Sequence, residues 1–326
     1  MKKFSKVVLL VLAVVMMLTG CNSGQKVIAE DENVFDIGII QLAEHPALDD
    51  ARKGFEDGLK ELGVDVNISY QNAQGEIPAT LTMAEKFVDD GVDLIYAIAT
   101  PAAQSAKQAT SEIPILFSAV TDPVDAELVD SMEKPGGNVT GTSDMSPMDR
   151  QLQLFKDLKP DIEKIGIIYN TSEPNSLIQV NQAKELAEGL GLEIIDVGIN
   201  TINDIALAMD SLVGKVDGIY TITDNMVASS IGLVANKAIE NGIITIAGED
   251  SHVHGGILMT DGISYYELGK QTAKMAKEIL VDGKSPAEIP SERALNTSKV
   301  YNEETLNLLN LDKNNEAFKG ATKIEP

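Results

Sequence analysis

The sequence predicts an α/β protein made of two doubly wound, parallel-sheet lobes. Three observations carry that prediction. From Val34 onward, short continuous apolar runs alternate with amphipathic stretches of helical period. Continuous apolar strands between helices mark a parallel sheet covered on both faces. The run order then repeats: "IGII" at residues 37–40 returns at 165–168, "VDLIYAI" at 92–98 returns as "VDGIYTI" at 216–222, and "EIPILFSAVTD" at 112–122 is answered by "NGIITIAGED" at 241–250. Finally, 326 residues with 44% hydrophobic content suffice for two cores.

The elements follow in order. "MKKFSKVVLLVLAVVMMLTGCNSG" opens with Lys2, Lys3 and Lys6, then an apolar run over 7–18 that is short for a membrane span and suits an export signal. It ends in "LTGC" (18–21), which resembles the bacterial lipobox, so residues 1–21 are expected to be a signal peptide and Cys21, the single cysteine, the lipidated residue. Residues 22–33 form a polar tether. The first strand covers 34–40. The helix at 46–63 starts on Pro46 and stops at Gly63, and "VNISY" (66–70) and "PATLTMAEKFVDDG" (78–91) supply the next strand and helix. "VDLIYAIA", "PAAQSAKQATS" and "IPILFSAV" close the first pass. A helix over 124–132, a Pro-Gly-Gly turn at 135–137 and a strand over 138–143 should then lead into the second pass, with Gly141, Thr142 and Ser143 as hinge candidates because glycine tolerates large φ/ψ changes.

The formal net charge of −24 disfavours nucleic acid and anionic lipid surfaces as partners. In parallel α/β sheets ligands bind beyond the carboxyl ends of the strands. Those positions are Gln41, Leu42 and Glu44 after the first strand; Thr100, Pro101 and Ala102 after the third; and Ser118, Ala119, Val120, Thr121 and Asp122 after the fourth. In the second pass they are Asn170 and Asn175, then Asp224 and Asn225, then Glu249. Two such rims facing each other make a cleft lined by hydrogen-bonding groups and helix N-termini. Thr100, Ser118 and nearby amides suit a carboxylate; Asp224, Glu249 and Asp122 suit an ammonium; Leu42, Pro46, Pro101 and Val120 suit an apolar side chain. Each of these residues could instead serve only as a cap or turn.

"TDPV" (121–124), "PGGNVTG" (135–141), "TDN" (223–225), "GEDSHVHGGIL" (248–258) and "DGISYYELGKQTAKMAKEIL" (261–280), together with the lipobox, resemble the ABC-transporter substrate-binding lipoproteins of the tryptophan/tyrosine-type group. The resemblance spans essentially the whole mature chain. It implies a type I periplasmic-binding-protein fold with a three-crossover hinge, lobe 1 holding 34–142 and 261–290 and lobe 2 holding 143–260 and 291–326. It also implies a monomeric, lipid-anchored protein on the extracytoplasmic face of the cell membrane. Such a protein captures an aromatic amino acid (tyrosine, phenylalanine or tryptophan) without a cofactor and delivers it to an ABC permease and its ATPase. One departure is Asp125-Ala126-Glu127 after "DPV", where the group often has small residues.

Other readings stay open on the sequence. No phosphate-binding loop, Gly-x-Gly-x-x-Gly after the first strand or Gly-x-Ser-x-Gly elbow supports an enzyme. His252 and His254 would share one face of a strand and could hold a metal with Glu249 or Asp250, although a third well-placed ligand is wanting. A sugar, nucleoside or branched amino acid, or a role as adhesin or sensor, are the alternatives. The absence of Trp counts against sugar stacking.

Overall fold

The computed structural model describes residues 34–324; the expected signal peptide, tether and lipidation site at Cys21 lie outside the described residues. The chain begins with strand β1 (Phe35–Gln41), helix α1 (Pro46–Glu61), β2 (Val66–Asn72), α2 (Ile77–Asp90), β3 (Leu94–Ile98), α3 (Thr100–Ala109), β4 (Ile115–Val120) and β5 (Val139–Ser143). It continues through α4 (Met148–Leu158), β6 (Lys164–Asn170), α5 (Pro174–Gly189), β7 (Glu193–Ile199), α6 (Ile205–Leu212), β8 (Gly218–Thr221), α7 (Asn225–Ala228), α8 (Ile231–Glu240), β9 (Ile244–Ala247), α9 (Asp250–His254) and β10 (Met259–Gly262). The return comprises α10 (Tyr265–Leu280), β11 (Glu292–Arg293), β12 (Ser298–Tyr301), α11 (Glu303–Leu308) and β13 (Thr322–Lys323).

Two sheets result, ordered β11-β5-β4-β3-β1-β2 and β13-β12-β10-β9-β8-β6-β7. Within them β2-β1-β3-β4-β5 and β7-β6-β8-β9-β10 are the same arrangement, so the sequence repeat is a repeat of topology. Pairing is parallel except between β10 and β12. Each sheet reverses direction of growth beside its first strand, between β1 and β3 and between β6 and β8, where a crevice opens at the strand ends. The central strands β3 and β4 are buried along their whole length, which explains their unbroken apolar runs.

The chain passes between lobes three times, over residues 144–147, 263–264 and 294–297. Asp261 and Gly262 remain in the second sheet and β11 joins the first, so the last two passages fall a few residues later than expected. The expected helix over 124–132 is absent. Asp122 Oδ1 instead accepts from the Val124 and Asp125 amides, and Glu127 takes a left-handed φ of 56°, which a helix cannot continue through. Gly141 stands inside β5, where a Cβ would lie 2.1 Å from the Phe117 carbonyl oxygen, so its lack of a side chain serves close strand approach beside the β4–β5 register shift.

After the second passage α10 returns to pack on α1, and the two helices meet through glycines. A Cβ on Gly54 would lie 2.0 Å from the Tyr266 carbonyl, and one on Gly269 would lie 2.0 Å from that of Ala51. This contact seats Phe55 against Tyr96, their rings stacked 4.0 Å apart. Gly269→Ala is therefore expected to destabilise the protein by about 1–3 kcal/mol, the usual range for overpacking, as measured by urea unfolding.

Candidate functional site

The carboxyl ends of the first-lobe strands face those of the second. His45 Nε2 donates to Asn225 Oδ1 across the cleft at 3.2 Å, and Gln179 Nε2 on α5 reaches Thr121 Oγ1 at 3.2 Å and Thr223 Oγ1 at 2.7 Å. Between these bridges lies a tight, narrow space of about 10 Å³, room for one water at most, walled by His45, Ala119, Asp144, Asp224, Glu249 and Tyr265, among others. A wider, more open groove adjoins it, with Leu42, Glu44, Ile77, Asn170, Ile202 and Met226 among its walls, and Asn225 borders both.

The strand ends on the first-lobe side are strained. Ala99 and Ala119, at the tips of β3 and β4, have φ of 88° and 57°, which an alanine adopts only when its surroundings force it. They are tied together, the Ala99 amide donating to the Ser118 carbonyl at 3.0 Å. Thr100 follows as the first residue of α3; it is buried, and its hydroxyl has no protein partner. The α3 N-terminus thus offers a free hydroxyl in the positive field of a helix start.

The second-lobe side is acidic. Asp224 caps α7 by accepting from the Val227 amide at 2.8 Å, and its other oxygen takes the Asn170 amide at 2.6 Å and the Ser176 hydroxyl at 2.7 Å. Glu249 caps α9, accepting from the amides of Ser251 and His252 and the Ser251 hydroxyl. Glu173 gathers the Asn225 and Met226 amides and the Asn170 side chain. Thus Asp224 and Glu249, expected to take an ammonium directly, have their oxygens engaged by the chain's own donors. The carboxylate with an unpartnered oxygen is Asp144, which is 3% exposed and accepts from Tyr265 Oη at 2.6 Å through Oδ2 while Oδ1 has no donor.

Among the described residues no Lys or Arg pairs with Asp144, Glu173, Asp224 or Glu249. Burial therefore raises their proton affinity: Glu249 and Asp250 are pushed up to about 7, and Asp144 is raised. Burial also raises Glu173 and Asp224, which sit side by side. Burial pushes His45 and His252 down to about 4, so both are neutral. With Nε2–H given to Asn225, His45 presents Nδ1 as a bare, unpartnered acceptor.

The remaining expected residues are placed unevenly. Ala119, Asp224, Asn225 and Glu249 meet at the narrow space, and Leu42, Glu44 and Asn170 line the groove. Gln41 is held by Ala43 and Asp49, and Asn175 reaches the Thr223 carbonyl. Ala102 and Val120 belong to the apolar core and Pro101 is buried in α3, whereas Pro46 is exposed at the start of α1. The Ser118 hydroxyl faces Thr142 inside lobe 1, and Thr142 in turn bonds Thr272 of α10. Asp122 serves its own turn. His252 and His254 lie on a short helix rather than a strand: His252 is buried against Glu249 and Thr221 while His254 is exposed, so they do not share a face. Asp144, His45 and Tyr265 were not among the expected binding residues, whereas Glu173 follows directly on the strand-end stretch begun by Asn170. Asp144 and Tyr265 flank interlobe passages, which strand-end reasoning does not inspect.

The family model for the ABC transporter substrate binding protein matches residues 36–325. The chain belongs to this family. It is 45% identical over 327 residues to the tyrosine-binding protein of Clostridioides difficile strain R20291, covering 96% of this chain and 94% of that one. A Streptococcus pneumoniae ABC-domain structure in complex with L-Trp superposes with a TM-score of 0.85 at 34% identity, covering 90% of this chain and all of that one. The ligand-free, open structure of a Clostridium difficile substrate binding protein with adhesive properties is closer in sequence at 44% identity, covering 90% of this chain and 99% of that one, yet superposes at only 0.69. Sequence similarity would rank these two structures the other way. The lobe arrangement therefore matches the ligand-bound form better than the open one, and the lobes are closed.

The proton affinities give a signed expectation. Carboxyls raised in the folded state contribute stability that is fully present below their unfolded values near 4 and is lost as the pH rises through about 7. The lowered histidines act oppositely, losing stability as the pH falls from 6.5 through about 4. The raised carboxyls outnumber the histidines, so the ligand-free protein should melt at a higher temperature at about pH 5.5 than at about pH 7.5. The reverse order in calorimetry would contradict the assignment of buried, cation-free carboxylates.

Proposed function

We propose that the chain is the lipid-anchored, extracytoplasmic receptor of an ABC importer for aromatic amino acids, a binding protein that carries out no reaction. The observation that carries this reading is the polarity of the closed cleft. One side holds a set of buried carboxylates that no described Lys or Arg pairs with, and at the start of α3 in lobe 1 the buried Thr100 hydroxyl has no partner. A zwitterion satisfies both: its ammonium meets the acidic wall and its carboxylate meets the start of α3. The aromatic side chain extends to where the narrow space joins the groove containing Leu42, Ile77, Ile202 and Met226. The relatives that bind tyrosine and L-Trp support this class of ligand.

Ligand contacts both rims only when the lobes meet, so binding selects the closed form. The closed form is what a permease would recognise, with Cys21 lipid holding the monomer near it. Transport energy comes from the partner ATPase, and no cofactor or metal takes part.

A thermal-shift screen of amino acids tests the reading. Tyrosine, phenylalanine or tryptophan should raise the melting temperature, because a ligand at a hundred times its Kd adds about 2.7 kcal/mol to native-state stability. Shifts with branched amino acids, nucleosides or sugars but none with an aromatic amino acid would overturn it. Thr100→Val keeps the shape and removes the free hydroxyl, so it should weaken binding by about fivefold in calorimetry, the equivalent of about 1 kcal/mol for one hydrogen bond.

A further inference from the structure

We propose that Asp144 is the direct partner of the ligand's ammonium group and that Tyr265 is its positioning residue, so that the charge of the ligand is read on the passages between the lobes. The proposal rests on the amino-acid reading above and assigns its cationic pole to one atom, Asp144 Oδ1.

Asp144 is the first residue after β5, where the chain leaves lobe 1. Its amide donates to the Val120 carbonyl at 3.1 Å, which fixes its backbone to the end of β4. Tyr265 opens α10, one residue past the second passage, and its hydroxyl donates to Asp144 Oδ2 at 2.6 Å. One hydrogen bond therefore links two of the three passages. Burial and the neighbouring Asp144 charge hold the Tyr265 phenol well above its ordinary proton affinity, so it stays a donor. Donation by the Tyr265 hydroxyl opposes the effect of burial on Asp144 and favours its charged form.

Oδ1 is the unmatched atom. It is buried, lines the narrow space and has no donor in the chain. Native structures seldom leave such an oxygen unpaired, because desolvating it without a partner is costly. The other carboxylates around the space spend their oxygens on amides and hydroxyls, as helix caps do. An ammonium brings three N–H donors and a full charge. One donor fills Asp144 Oδ1, and the neutral, bare Nδ1 of His45, also on the lobe 1 rim, is a second acceptor lining the same space. Asp224 and Glu249, carried by lobe 2, add their negative field only when that lobe has closed.

The experiment is calorimetry on the mature chain with L-tryptophan and with indole-3-propionate, which has the same ring and carboxylate but no ammonium. L-tyrosine and its des-amino analogue serve if tyrosine binds more tightly. Wild type should prefer the amino acid strongly. Asp144→Asn keeps size and one acceptor oxygen but removes the charge and replaces the other acceptor by a donor, and should lose about 30-fold or more in affinity for the amino acid while leaving that for the des-amino acid unchanged. Tyr265→Phe should reduce the same preference in the same direction by a smaller factor, a ratio that a merely structural role would not move. If wild type discriminates and both variants, folded by circular dichroism, discriminate equally well, the assignment to Asp144 is overturned while the amino-acid reading stands. If Asp144→Asn fails to fold, Tyr265→Phe decides alone, and an unchanged ratio overturns the proposal. If wild type binds no aromatic amino acid, the reading of the preceding section falls and takes this one with it.

Discussion

The cleft between the lobes carries a group of buried carboxylates that no described lysine or arginine pairs with. Asp144, Glu173, Asp224 and Glu249 are each at most 3% exposed, and the described lysines and arginines form their ion pairs elsewhere. Isolated buried negative charge is among the most expensive things a fold can hold. The chain meets part of that cost with backbone amides at the starts of α7 and α9 and with hydroxyls from Ser176, Ser251 and Tyr265. On the proposed reading, the ligand's ammonium supplies the positive charge that the wall still lacks, which makes closure conditional on a ligand.

The fold exists to bring this wall against the first-lobe rim. Two copies of one strand order place their crevices at the same end of each sheet, and three passages let the sheets face one another. The glycine-mediated crossing of α1 and α10 locks the returning segment onto lobe 1, so that Tyr265 starts its helix from a fixed base. Strain at Ala99 and Ala119 fits the same logic, since those tips shape the rim opposite the carboxylates.

Much of this was legible in the sequence. The repeated runs at 37–40 and 165–168, and at 92–98 and 216–222, announced two lobes of one topology, because buried parallel strands leave an unbroken apolar signature. The strand-end rule found Ala119, Asp224, Asn225 and Glu249 at the narrow space, yet it could not separate ligand contacts from caps: Asp224 and Asp122 look alike on paper, and one caps a helix at the cleft while the other only closes a turn. The segment after Asp122 has the spacing of a helix, but the side-chain turn at its start and the left-handed Glu127 override that pattern. Asp144, His45 and Tyr265 escaped notice because their importance comes from contacts between segments far apart in the chain. The Asp144–Tyr265 pair, 121 positions apart, and the His45–Asn225 pair, 180 apart, share no local pattern that periodicity can detect.

The claim that an external cation completes the closed cleft is tested most directly by small-angle X-ray scattering of the protein alone, with a saturating aromatic amino acid, and with its des-amino analogue at equal occupancy. The account predicts that the radius of gyration contracts with the amino acid and stays at the ligand-free value with the analogue. Equal contraction with both, or a fully contracted protein in the absence of any ligand at neutral pH, would contradict it.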